Sequence, residues 1–190
     1  INVDFEVIEL ARNFAAFLFE NYSGHEGQPG WNIPQPQRTD MLSWNNPENI
    51  DSGVSGIILF LLELYRQTGE KKYLELADNS LNNLVRYCET KPTCNYSLYT
   101  GRAGIAYLLI QRYLINAEPG LVHKAIHLIK PANQEFLHSN YTTDYLYDGR
   151  AGTLLVLLYC YLLSGDKSLV DPIQQFLNKI IGNAELSGTG

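Results

Sequence analysis

An all-α protein of helical hairpins, arranged as an α/α toroid, is predicted from three observations. Pairs of glycines recur at a fixed spacing: Gly53 and Gly56, Gly101 and Gly104, and Gly149 and Gly152 each stand 48 residues from their counterparts, without a gap. After each pair comes a helix-length segment that is apolar around most of its circumference. After that comes an amphipathic one. A fixed period of this length marks a repeat architecture of supersecondary units.

Taken in order, a leading helix spans about Val3 to Tyr22, and residues 23–49 form a long loop rich in Gly, Pro, Asn and Gln. Loops of that length are often functional. The repeats follow at 50–97, 98–145 and 146–190, and the whole is expected to be one domain. Their first helices read GIILFLLELYRQ, GIAYLLIQRYLI and GTLLVLLYCYLL. Helices apolar nearly all round are buried on both faces, so these are the inner ones. The outer helices read KKYLELADNSLNNLVRYC, PGLVHKAIHLIKPANQEFL and KSLVDPIQQFLNKII, with their charges on one side. Pro119 suits a first helical turn, whereas Pro131 and Pro172 bend or end the pattern. Register is kept at Leu61, Leu109 and Leu157, and at Tyr65, Tyr113 and Tyr161. A superhelical solenoid also satisfies the hairpins, but its helices are usually both amphipathic, so the toroid fits better. The glycines then let the backbone turn tightly and approach closely where a Cβ would clash.

Composition narrows the functions. Apolar residues make up 45% and charged residues 18%, so a core is expected, and the net charge of −6 argues against nucleic acid as a partner. The run Thr153 to Leu163 is too short to span a bilayer. Cys88, Cys94 and Cys160 are an odd number with no CxxC, which argues against a disulfide framework and points to a reducing, cytoplasmic setting.

The segments SGVSGIILFLLELYRQTGEKKYLELA, SLYTGRAGIAYLL and YLYDGRAGTLLVLL resemble the GxxG repeats of the lanthionine synthetase C-like (LanC-like) family, over roughly Ile50 to Ile181 and extending to the helix before it. The resemblance implies a toroid of helical hairpins around a central cavity. It implies a peptide substrate, a dehydrated precursor in which a cysteine thiol adds to dehydroalanine or dehydrobutyrine, as in lantibiotic biosynthesis. Zinc activates the thiol in complete family members, held by cysteines and a histidine in a Trp-Cys pair and a Cys-His-Gly motif. Neither motif occurs in this chain, so no metal and no cofactor are expected here. His123 and His127, at i, i+4, lack a third ligand.

The resemblance also implies an acidic residue ahead of a GxxG turn as a proton-transfer group. Asp148 is that catalytic candidate, with Asp51 and Asp144 nearby, and a cap or turn role competes with it. Arg102 and Arg150 hold equivalent places and, with Tyr147, are candidates for binding a peptide carboxylate or backbone. A structural ion pair is the alternative for the arginines, and packing for Tyr147, Tyr99 and Trp44. Gly53, Gly56, Gly101, Gly104, Gly149 and Gly152 are structural. Three units make about half of a ring, and the next glycine of the series falls just past Gly190. An incomplete ring that self-associates through its open edges, inactive by itself, is therefore expected. Two other functions fit the hairpins: a six-hairpin glycosidase-like enzyme with a carboxylate pair, and a non-catalytic peptide-binding scaffold.

Overall fold

The computed structural model of the chain describes residues 5–25, 30–31, 46–91, 95–133, 135–139 and 142–187. Over these residues the chain is helical, without a strand and with one isolated bridge, between Tyr22 and Trp31. It divides into two compact units, Ile1–Pro92 and Thr93–Gly190.

The first unit holds α1 (Phe5–Glu20), α2 (Val54–Thr68) and α3 (Lys71–Thr90). Ile58, Leu61 and Leu62 of α2 pack against a stripe on α3 made by Tyr73, Leu76, Ala77, Leu81 and Leu84. That stripe keeps the three- and four-residue spacing of an amphipathic helix. On α1, Ala15 and Leu18 are buried, and Phe14 meets Phe60 of α2 edge-on with centroids 5.2 Å apart. Arg12 Nε donates to Glu70 at 2.7 Å, tying α1 to the link between α2 and α3. Trp31 gives the long loop an anchor: its ring is buried and its Nε1 donates to the Leu18 carbonyl at 2.7 Å.

The second unit holds α4 (Arg102–Asn116), α5 (Pro119–Ile129), the short α6 (Glu135–His138), α7 (Arg150–Ser164) and α8 (Val170–Ser187). Pro119 occupies the first turn of α5. Pro131 follows the end of α5, in a 3₁₀ turn over Lys130–Asn133, because it has no N–H for a fourth turn. Pro172 is tolerated as the third residue of α8, where no intrahelical N–H bond is required. A 3₁₀ turn over Lys167–Leu169 precedes that helix, with the Asp166 carboxylate accepting from Ser168 N at 2.9 Å.

Packing of α4 against both α5 and α7 explains its all-round apolarity: Ile105, Leu108, Leu109 and Ile110 are all buried. The inner helix α7 departs from that expectation. It buries Val156, Leu157 and Cys160 but leaves Leu158, Tyr159 and Leu162 exposed. The three hairpin links share one device. Gly69, Ala117 and Gly165 adopt φ of 70°, 55° and 66°, and their N–H groups bond the carbonyls of Tyr65, Tyr113 and Tyr161. A left-handed residue of this kind satisfies an otherwise unpaired carbonyl at a helix end.

Candidate functional site

Each inner helix is entered through a loop that folds back over its own start. Arg102 N donates to Asn95 O at 2.8 Å and Arg150 N to Thr143 O at 3.0 Å. In the first repeat Ser55 N reaches Pro47 O at 3.1 Å, while Ser55 Oγ donates to Glu48 O at 2.8 Å. Pro47, Asn95 and Thr143 are equivalent residues of the repeat; the donors are equivalent in the second and third repeats, whereas the first uses Ser55, one position beyond their counterpart Val54.

That arrangement fixes the reason for the glycines. The first of each pair, Gly53, Gly101 and Gly149, caps its helix in an extended conformation with φ of −125°, −155° and −119°. Other residues adopt such angles, so the expected need for a special backbone turn is not met. Close approach is what requires glycine. A Cβ on Gly53 would lie 2.6 Å from Asn46 O, and one on Gly149 would lie 2.5 Å from Thr143 O. On Gly56 and Gly152 it would strike the carbonyls of Ile50 and Leu146, in each case the residue six positions earlier. Gly152 also faces the Leu98 side chain, 2.7 Å from where its Cβ would stand. Beside it Thr153 Oγ1 donates to Tyr96 O at 2.7 Å. The start of α7 therefore seats directly on the loop that leads into α4. Gly104 is buried within α4.

The two arginines, equivalent in sequence, do different things. Arg150 is 2% exposed. Its Nε donates to Leu137 O at 2.8 Å, Nη2 to Ser139 O at 2.6 Å, and Nη1 to Thr142 O at 2.6 Å and Asp144 Oδ1 at 2.9 Å. The fork ties Leu137, Ser139, Thr142 and Asp144 to the start of α7, which is a structural geometry. A salt bridge forms with Asp144 as the partner. Arg102 is half-buried and lies over the Tyr96 ring, 5.5 Å from its centroid, a cation–π separation.

Asp148 is exposed, and its carboxylate accepts from Thr143 Oγ1 at 2.8 Å. The helix cap is Gly149, so Asp148 is a turn residue one position outside it. Tyr147 stacks on Tyr99, its equivalent in the preceding repeat, with centroids 4.8 Å apart and planes 18° from parallel. Tyr99 N also donates to Tyr147 O at 3.0 Å. The packing role and the exposed role coincide here, because Tyr147 remains 44% accessible and its neighbour Tyr145 is 73% accessible. Together with Leu146 and Asp148 they form an aromatic surface with an acidic edge, on the loops that open α4 and α7. Trp44 and Cys94 lie outside the described residues.

The donor set of the described residues does not fit a zinc ion: no three of their His, Cys, Asp or Glu side chains converge. Cys88 and Cys160 are both fully buried, and burial pushes the Cys160 thiol up to about 12. Such a thiol stays protonated at neutral pH and is a poor nucleophile. No helix among the described residues is long and apolar enough to cross a membrane.

One further feature escaped the sequence reading. Asn79, Asn82, Asn83 and Arg86 follow one face of α3 and line a polar groove of about 460 Å³ with Tyr22 and Gly24. A signal was present in NSLNN: asparagine is a weak helix former, so three within five residues of a helix need a reason. Residues 45–189 match the model of the lanthionine synthetase C-like protein family. No curated protein matches the chain.

Proposed function

Because the chain belongs to the lanthionine synthetase C-like family, we propose that its helix-start loops hold a dehydrated peptide for thioether formation. Membership supports a peptide-modifying role in general. The specific reaction is addition of a cysteine thiol to dehydroalanine or dehydrobutyrine. A C–S bond forms at the β-carbon, the double bond is lost, and the thiol proton is balanced by one delivered to the α-carbon. In this reading the helix-start loops bind and orient the peptide. A reducing cytoplasm suits the reaction, since the substrate thiol must stay free.

The observation that supports this reading is the Tyr99–Tyr147 stack with its exposed neighbours Tyr145 and Leu146. Aromatic rings held rigid by stacking lose little freedom on binding a partner. Asp148 sits at the edge of this surface, one residue ahead of the helix cap, and is the proton-transfer candidate of this reading. The test is binding of a labelled peptide containing one dehydroalanine and one cysteine, with the peptide thiol counted afterwards by alkylation. The chain should bind it, and Tyr147→Ala should weaken that binding. Failure of the unaltered chain to bind the peptide would sink the proposal. Loss of the peptide thiol in the presence of the chain would show that catalysis is present as well.

A further inference from the structure

The groove on α3 carries an inference of its own. Asn79, Asn82 and Asn83 stand at i, i+3 and i+4, one turn apart on the same face. Asn79 and Asn82 are exposed, and Asn83 is half-buried with its Nδ2 3.4 Å from the Tyr22 hydroxyl. Tyr22 in turn is packed against Trp31, with centroids 5.0 Å apart. Gly24 completes the wall, since a Cβ there would strike the Tyr22 ring.

We propose that this groove binds an extended peptide segment through its backbone. An asparagine side chain offers an N–H donor and a C=O acceptor side by side, the same pair that each residue of an extended chain presents. Along a helix the rise from i to i+4 is about 6 Å, and an extended chain repeats its orientation every two residues, about 6.8 Å. Asn79 and Asn83 can therefore address successive like-oriented residues of one strand, with Asn82 beside them. The lining is polar, so recognition there falls on hydrogen bonds and not on apolar side chains of the guest. A sugar is the weaker fit: the Tyr22 ring is packed against Trp31 and presents its hydroxyl to Asn83. The groove thus gives the peptide a docking place apart from the helix-start loops, and only the identity of the physiological peptide rests on the function proposed above.

The test uses the whole chain and a linear peptide of alternating alanine and threonine, followed by the same peptide N-methylated at alternate residues. With the first peptide, the side-chain amide NMR signals of Asn79, Asn82 and Asn83 should shift. The N-methylated peptide, which keeps the side chains but loses donors, should leave them in place. Asn79→Leu combined with Asn82→Leu should weaken peptide binding by about tenfold or more, with thermal unfolding compared to the unaltered chain as a control. If the pair of substitutions prevents folding, the amide shifts of the unaltered chain still decide. Equal response to both peptides, no response to either, or a response to a malto-oligosaccharide in their place overturns the proposal. Tyr147→Ala should leave the asparagine shifts intact, so failure at the loops and failure at the groove are read separately.

Discussion

The Arg150 guanidinium donates to Asp144 at 2.9 Å, and the other oxygen of Asp144 accepts from Asn183 Nδ2 at 2.7 Å. One carboxylate thus connects the first residue of α7, the loop before it and the last turns of α8. The same guanidinium bonds the carbonyls of Leu137, Ser139 and Thr142. The loop that carries the exposed tyrosines is therefore shaped by a buried cation.

Replacement of Arg150 should be costly. Arg150→Met leaves Asp144, half-buried, and several carbonyls without their donor, and each hydrogen bond to a charged group is worth about 1.5–3 kcal/mol. Arg150→Lys should recover little, because one ammonium cannot match a planar fork with acceptors on several sides. Urea unfolding measures both. A midpoint within error of the unaltered chain for either substitution contradicts the clamp.

Gly152→Ala should destabilise the fold by about 1–3 kcal/mol, the range for forcing atoms into a filled space. The obstacles are the Leu146 carbonyl and the Leu98 Cβ, and neither is the end of a flexible side chain. Gly152→Val should cost more. An alanine variant as stable as the parent in a denaturant melt would show that the loop yields freely.

Ala117→Gly should stabilise the protein. Ala117 holds φ of 55° at a position where the other two hairpins have Gly69 and Gly165. A left-handed residue with a Cβ is disfavoured by about 1–2 kcal/mol, and the greater freedom of glycine when unfolded offsets part of that. A net gain of about 0.5–1 kcal/mol is expected. A lowered melting temperature would contradict it.

Acid should loosen the link between α1 and the first hairpin. Lys72 first, and Arg12 with it, hold the Glu70 carboxyl below its ordinary 4.5. A carboxyl with a lowered folded-state value contributes stability that is present above its unfolded value and lost as pH falls through the folded one. Melting temperatures recorded from about pH 6 down to 3 should therefore fall less steeply for Glu70→Gln than for the parent. Parallel curves would mean that the ion pairs with Arg12 and Lys72 do not couple to folding.

Much of the architecture was legible from the period alone. A repeat held in register demands that equivalent residues meet equivalent surroundings, and Leu61, Leu109 and Leu157 are all buried. The inner helices begin at Val54, Arg102 and Arg150, each immediately after its glycine. Helix starts and buried faces follow from local pattern, because both depend on residues a few positions apart. The site was less legible. Arg102 and Arg150 share a motif, but their partners are set by residues outside it: Tyr96 for one, and Asp144 with the Leu137 and Ser139 carbonyls for the other.

The sequence by itself determined the all-helical hairpins, their register, the glycine-opened inner helices and the family resemblance. Only the tertiary structure decided why glycine is needed, since the backbone angles at Gly53, Gly101 and Gly149 are ordinary and the obstacle is the carbonyl of a returning loop. It alone showed that Arg150 is buried as a clamp, that Tyr147 is both stacked and exposed, and that three asparagines share a groove with Tyr22. The physical reason is one of range. Helix periodicity is written in neighbours along the chain, whereas a side chain's burial and its hydrogen-bond partners depend on which distant backbone the fold brings against it.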